Sequence, residues 1–182
     1  MDFRKIFLAA TCIFSIAISG GASYAADGNA VGGSAYADTS GGGPLGDVQV
    51  TVAQDSSIRD QTRSEDGVFT LKVRSTLKQF DLIYQKAGYL DTHDFDIQND
   101  KEQQKRAVAR MTPTSRIGTL PGDKLSSLVD ASIAALRRGK KLSVSALQES
   151  GKRNLETLQE NIKPATPALV ELKAKIRQSL LE

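Results

Sequence analysis

Among its 182 residues the chain has one cysteine, one histidine and no tryptophan. Each scarcity excludes something. Cys12 lies within an apolar N-terminal run, so the rest of the chain has neither a disulfide nor a thiolate nucleophile. A single histidine, His93, excludes a catalytic zinc centre of the kind built on two histidines and a carboxylate. It also leaves one imidazole for any Ser-His-Asp arrangement. His93 alternates with Asp94 beside Phe95, on the expected inward face of a strand, where a packed structural histidine is the simpler reading. Aromatics make up 5% of the chain. Without tryptophan, the side chains able to stack on a sugar reduce to Tyr36 and Tyr89, near a loop end and a strand end. The net charge is only +3 and no basic and aromatic residues interleave, which argues against nucleic acid. No catalytic group, cofactor site or metal site is expected.

Met1 to Ala25 has the parts of a secretory signal peptide. Arg4 and Lys5 supply the positive start, Ile6 to Ile18 the apolar run, and Ser23-Tyr24-Ala25 the small residues for cleavage. The run is shorter than the roughly 20 apolar residues a spanning helix needs, and Gly20-Gly21 ends it. The expectation is export to a periplasmic or secreted location in a bacterium, with the membrane met only in transit. The chain that remains is long enough to bury one core without disulfides.

Next comes a series of short alternating segments. Ala26 to Gly33 is small and polar and is expected to be a flexible N-terminus. Ser34 to Asp38 reads as a first strand. Thr39 to Gly46 is rich in glycine but leads into Val48, Val50 and Val52 at strand period, so it is a strand connection and no phosphate cradle. Asp66-Gly67 is a turn, because glycine accepts positive φ and aspartate bonds nearby backbone. Phe69, Leu71 and Val73 alternate after it with one buried face, and Ile58 to Ser64 is expected to pair with them as a hairpin. Phe80, Leu82 and Tyr84 mark a further strand. Thr92 to Ile97 marks another, with His93, Phe95 and Ile97 on one side and Asp94 and Asp96 on the other. Arg106 to Met111 closes the series. Seven such strands indicate a β-sandwich, expected to be antiparallel over residues 34–116. Asp91, Asp94, Asp96 and Asp100 form one carboxylate cluster. Its spacing matches no EF-hand loop, so it reads as a solvated face, with a bound calcium the alternative.

From residue 117 to 182 the period becomes helical. Asp123 is a candidate N-cap, and Leu125, Leu128, Val129, Ile133 and Leu136 share a face that Gly139 is expected to end. Ser143 or Ser145 can cap a second helix with Val144, Leu147, Leu155, Leu158 and Ile162 as its line and Gly151 as a weak point. Thr166-Pro167 starts a third along Leu169, Leu172, Ile176 and Leu180. These amphipathic helices can pack on one another, on the sandwich, or as a dimerisation or docking hairpin. Charge is uneven: Ala26 to Arg116 carries 11 Lys and Arg against 13 Asp and Glu, and Ile117 to Glu182 carries 11 against 7. Arg137, Arg138, Lys140 and Lys141 concentrate that excess into a candidate partner patch, expected to be solvated.

Three segments in order, Gly43-Pro44-Leu45-Gly46-Asp47-Val48-Gln49-Val50, Ser64-Glu65-Asp66-Gly67-Val68-Phe69-Thr70-Leu71 and Lys86-Ala87-Gly88-Tyr89, resemble the carboxypeptidase regulatory-like domain family. The family pattern departs at Asp47, where Gly-Val is frequent. The resemblance spans about Ser34 to Met111 and implies a seven-stranded transthyretin-like sandwich of the carbohydrate-binding-like fold group. Such domains are usually non-catalytic accessories. The expected function is therefore an extracytoplasmic binding or scaffolding protein that contacts a protein partner or cell-envelope component. The alternative is a module that binds cell-wall or exported polysaccharide through Tyr36 and Tyr89.

Overall fold

The computed structural model describes residues 28–99 and 106–182. The signal peptide reading and Asp100 lie outside them. Seven strands form two sheets: β1 (Gly28–Ala37), β2 (Gln49–Val52), β3 (Asp55–Gln61), β4 (Val68–Arg74), β5 (Gln79–Gln85), β6 (Thr92–Gln98) and β7 (Ala107–Met111). One sheet has the order β4-β1-β7 and the other β3-β2-β5-β6. A short 3-10 turn, Thr114–Thr119, leads to three helices: α1 (Gly122–Leu142), α2 (Ser145–Asn161) and α3 (Pro167–Leu181). The fold is mainly β with an added helical layer.

Several expectations need correction. The sandwich is not wholly antiparallel, because β1 runs parallel to β7 from Gly33↔Ala107 to Ala37↔Met111. The segment taken as a flexible N-terminus belongs to β1 from Gly28 onward and pairs with β4. Its glycines disguised it: Gly33 carries no Cβ because the Phe69 ring fills that space. The central hairpin is not one. β3 pairs with β2 and β4 with β1, so the Asp66-Gly67 turn carries the chain from one sheet to the other. The turn itself is as expected. Asp66 Oδ1 accepts from Val68 N at 2.9 Å and Gly67 has φ 64°.

Inside the sandwich, Phe69, Leu71, Val73, Phe80, Leu82 and Tyr84 build the core, each nearly or fully inaccessible. The strand β5 is buried on both faces: Asp81 and Ile83 point the other way, toward the helices. Opposite it, β6 has a bulge between the pairs Phe80↔Ile97 and Leu82↔Asp94, with Asp96 at φ 60°. The extra residue breaks the expected alternation. Ile97 packs on the sandwich core, whereas Phe95 joins Ala53, Ile83 and Leu147 under the helical layer.

The apolar lines of the helices are occupied within the chain. Leu125, Val129, Ile133, Leu136, Leu155, Leu158, Ile162, Leu172 and Ile176 form one core with Ile117 and with Leu90 from the β-region. Pro121 rather than Asp123 precedes α1, with Asp123 in the first turn, where a carboxylate suits the helix dipole. The helix passes through Gly139 and ends at Ser143, in the left-handed conformation. Gly139 and Gly151 are contact points instead of a stop and a weakness. A Cβ on Gly139 would lie 2.6 Å from Gln148 N, and one on Gly151 2.6 Å from Leu136 N. Neither Ser143 nor Ser145 caps α2, which follows Val144, but Thr166 caps α3 as expected by accepting from Leu169 N.

Helices and sandwich are joined by ions as well as by apolar contact. Arg138 donates to Asp81 Oδ2 at 2.7 Å and Oδ1 at 2.8 Å, and to Asp96 Oδ1 at 2.6 Å. The Asp81 side chain is fully buried, and its remaining capacity accepts from Gln54 Nε2 and Asp96 N, each at 2.9 Å. The helical layer is thus fastened to the outer face of the four-stranded sheet, along β5 and β6. Of the packing alternatives left open for the helices, they pack both on one another and on the sandwich, which they meet through Leu90 and through Ala53, Ile83 and Leu147.

Candidate functional site

Beside the helical layer on that outer face lies a groove of about 800 Å³. Its floor follows from strand register. Gln49 of β2 is paired with Gln61 of β3 on one side and Gln85 of β5 on the other, so three glutamines stand in a row across three strands. Directly paired residues share a face, and all three line the groove. One wall is the segment Lys86 to Tyr89 with Asp47, held together where Lys86 Nζ donates to Gly46 O at 2.8 Å. The other is Asp91 with Arg153 of α2, and Arg59 and Asp60 of β3 close the far end.

Asp91 is the most heavily bonded group there. Its Oδ2 accepts from Arg153 at 2.6 Å, Ser150 Oγ at 2.7 Å and Gln85 Nε2 at 3.2 Å. Asn154 of α2 clamps its backbone, accepting from Asp91 N and donating to Asp91 O, each at 2.8 Å. Ser150 Oγ also lies 2.7 Å from His93 Nε2. Serine has one hydroxyl proton and Asp91 takes it, so His93 Nε2 donates to Ser150. Burial pushes the His93 pKa down to about 4, Arg153 adds to the shift, and Asp91 and Asp81 oppose it. The imidazole is neutral at pH 7. It stacks on Phe95 with ring centres 5.8 Å apart. Histidine, serine and aspartate are in contact here, but in the wrong order for nucleophilic catalysis. That chemistry needs the serine proton on the imidazole and the carboxylate behind it.

Of the two tyrosines singled out in the sequence, Tyr89 lines the groove and Tyr36 does not. Tyr36 sits on β1 in the other sheet, opposite Arg110 and bridged to Pro44. The basic patch is also divided. Lys140 and Lys141 are exposed and Arg137 faces Glu182 at 3.3 Å, but Arg138 turns inward to the sheet, so the four do not form one solvated surface. The carboxylate cluster disperses too. Asp91 holds Arg153, Asp94 accepts from Tyr84 Oη at 2.9 Å, and Asp96 holds Arg138. Burial pushes the Asp94 pKa up. Among the described residues no three metal-ligating side chains gather. As groove residues, sequence reasoning missed Gln49, Gln61, Gln85 and Arg153, and it marked Asp47 only as a departure in a strand entry. The glutamines do occupy polar positions of alternating strands, but their alignment depends on pairings that no local pattern reports.

No known protein family and no curated protein matches this chain. A solved structure that does match is a chain of a type II cohesin-X-dockerin complex from Acetivibrio cellulolyticus, an N-terminal interface mutant. Identity is 16% and the TM-score 0.39, over 47% of this chain and 58% of that one.

Proposed function

We propose that this chain is exported and works outside the cytoplasm as a non-catalytic binding module, holding a component of the cell envelope in the groove. The row of three glutamines carries this reading. Amides offer donors and acceptors together and do not react, and here they stand on paired strands, so the surface exists before a ligand arrives. The neighbouring His93 supports it, because its one serine contact is committed to Asp91. Export rests on the N-terminal segment, with its basic start, apolar run and small residues before Ala26. The test is co-sedimentation of the purified protein with envelope fractions of its host, beside Gln49→Ala and Lys141→Ala variants. Binding that Gln49→Ala weakens and Lys141→Ala leaves intact supports the groove. Binding indifferent to Gln49 refutes it.

A further inference from the structure

We infer that the groove takes a neutral polyhydroxylated chain, an oligosaccharide, lying along the glutamine row. The inference rests on the groove being the binding surface and names the chemistry of its occupant. Three observations select that chemistry. The charges around the groove nearly balance: Asp47 and Asp91 stand against Arg59, Lys86 and Arg153, and Asp60 adds a third carboxylate at the edge, turned toward β4 where it accepts from Thr70 N at 2.8 Å. A strongly anionic or cationic ligand would gain from one wall and lose to another. Apolar lining is confined to Ala87 and Tyr89, so a peptide finds no pocket for an apolar anchor, and anchors of that kind dominate protein interfaces. The glutamine row crosses β2 and β5, both paired on each side, and meets a free strand edge only at β3, so a peptide lying along the row cannot join the sheet by backbone pairing.

What is offered instead is a run of paired donors and acceptors. The Gln49 side-chain amide has no hydrogen-bond partner among the described residues, Gln61 donates to Asp47 Oδ1 only at 3.4 Å, and Gln85 donates to Asp91 Oδ2 at 3.2 Å, which leaves its carbonyl oxygen open. A sugar hydroxyl both donates and accepts, and neighbouring hydroxyls fit the carbonyl and amino ends of an amide. Tyr89, half-buried against the sandwich core, is the one aromatic side chain lining the groove and the one a pyranose ring can pack beside. Arg153, half-exposed and already paired with Asp91 at 2.6 Å, can meet a hydroxyl without giving up that pair.

The experiment is an NMR titration of the full exported chain, following the side-chain amide signals of Gln49, Gln61 and Gln85. The probes are neutral hexasaccharides of β-1,4-glucose, α-1,4-glucose and β-1,4-N-acetylglucosamine, and host envelope material treated with either periodate or proteinase. Saturable shifts of these signals by a hexasaccharide are expected. Gln49→Ala should weaken binding about fivefold, the loss of one hydrogen bond, and added salt should leave it unchanged. Envelope binding should survive proteinase and be lost after periodate, a result that supports the inference even if none of the three hexasaccharides is the right sugar. Groove binding that survives periodate and is lost after proteinase overturns the oligosaccharide and leaves the groove as a protein site. If nothing shifts the three amides and Gln49→Ala changes no binding, the groove reading falls as well.

Discussion

Arg138→Met should destabilise the protein by about 3 kcal/mol. Its guanidinium makes two bonds to Asp81 and two to Asp96, and it lies 5.2 Å from the centre of the Phe95 ring. Those carboxylates hold its pKa above the ordinary arginine value. Asp81 has no exposed side-chain surface, so removal of the cation strands a buried charge, at about 3–5 kcal/mol. The low end applies because Asp81 keeps its bonds from Gln54 and Asp96 N, and because Arg138 is 26% exposed, which weakens the pair by solvent screening. Methionine preserves the stem over Phe95, so the loss is chiefly that of the charge. Urea unfolding followed by circular dichroism at pH 7 measures it, with the slope unchanged. Adding Asp81→Asn to Arg138→Met should recover about 1–2 kcal/mol, since a neutral amide needs no counter-charge. A loss below about 1 kcal/mol, with no coupling between the two positions, would show that the ion cluster does not hold the helices to the sheet.

Other outcomes follow from the same contacts. Gly151→Ala should cost about 1–2 kcal/mol in urea melts, because its Cβ meets the α1 backbone. Gly122→Ala, where the space is open, should be neutral or slightly stabilising. Gly67→Val should cost about 3 kcal/mol or more, since strain at φ 64° is joined by a Cβ 2.6 Å from Ala35 O. Phe69→Ala should cost about 3–5 kcal/mol from lost core volume, and a small effect at either site refutes the assigned turn or core face. The pKa of His93 is depressed in the fold, so its contribution is complete above the unfolded value of 6.5 and declines as pH falls toward about 4. Between pH 7 and 4.5 the loss should be about 2 kcal/mol, after discounting for partial exposure, and His93→Gln should flatten that part of the stability profile. A chain ended at Arg116 should aggregate or fail to fold, as judged by circular dichroism and gel filtration. Ile83, Ala53, Leu90 and Phe95 lose their cover, and Asp81 and Asp91 lose their cations.

The parts of the fold that could be read from sequence are those governed by neighbours in the chain. The alternation of Phe69, Leu71 and Val73, the apolar lines of α1 and α2, the Thr166 cap and the positive φ at Gly67 all depend on local geometry, and all agree with the structure. The errors share a different cause. Whether β3 pairs with β2 or β4 depends on which sheet each joins, and a two-residue turn signal serves a sheet crossing as well as a hairpin. In the first part of β1, Gly28, Gly32 and Gly33 suppress the local strand signal that is readable from Ser34 onward, while β4 and β7 on either side supply the bonds that order it. The bulge at Asp96 is as hard to read. One added residue puts Asp96 beside Phe95 on the face where Arg138 lies and returns Ile97 to the core, and nothing within Thr92 to Gln98 announces it.

The candidate groove combines both kinds of information. Lys86-Ala87-Gly88-Tyr89 and the Gly46-Asp47 corner stand out in the sequence as motifs, and in the structure they meet through the Lys86 bond to Gly46 O to make one wall. The opposite wall depends on α2, where Arg153 is one charged residue among many on a helix whose packing partner the sequence leaves open. Asn154 and Ser150, one position and three positions away from it, are what make the choice specific. Both are buried against Asp91, which fixes the rotation of α2 and leaves Arg153 beside the groove. A helix that merely covered apolar strands would need no such polar registration, since Leu147 and Ile83 would be satisfied by many rotations. The clamp at Asp91 therefore argues that the helical layer was placed to complete the groove as well as to shield the sheet.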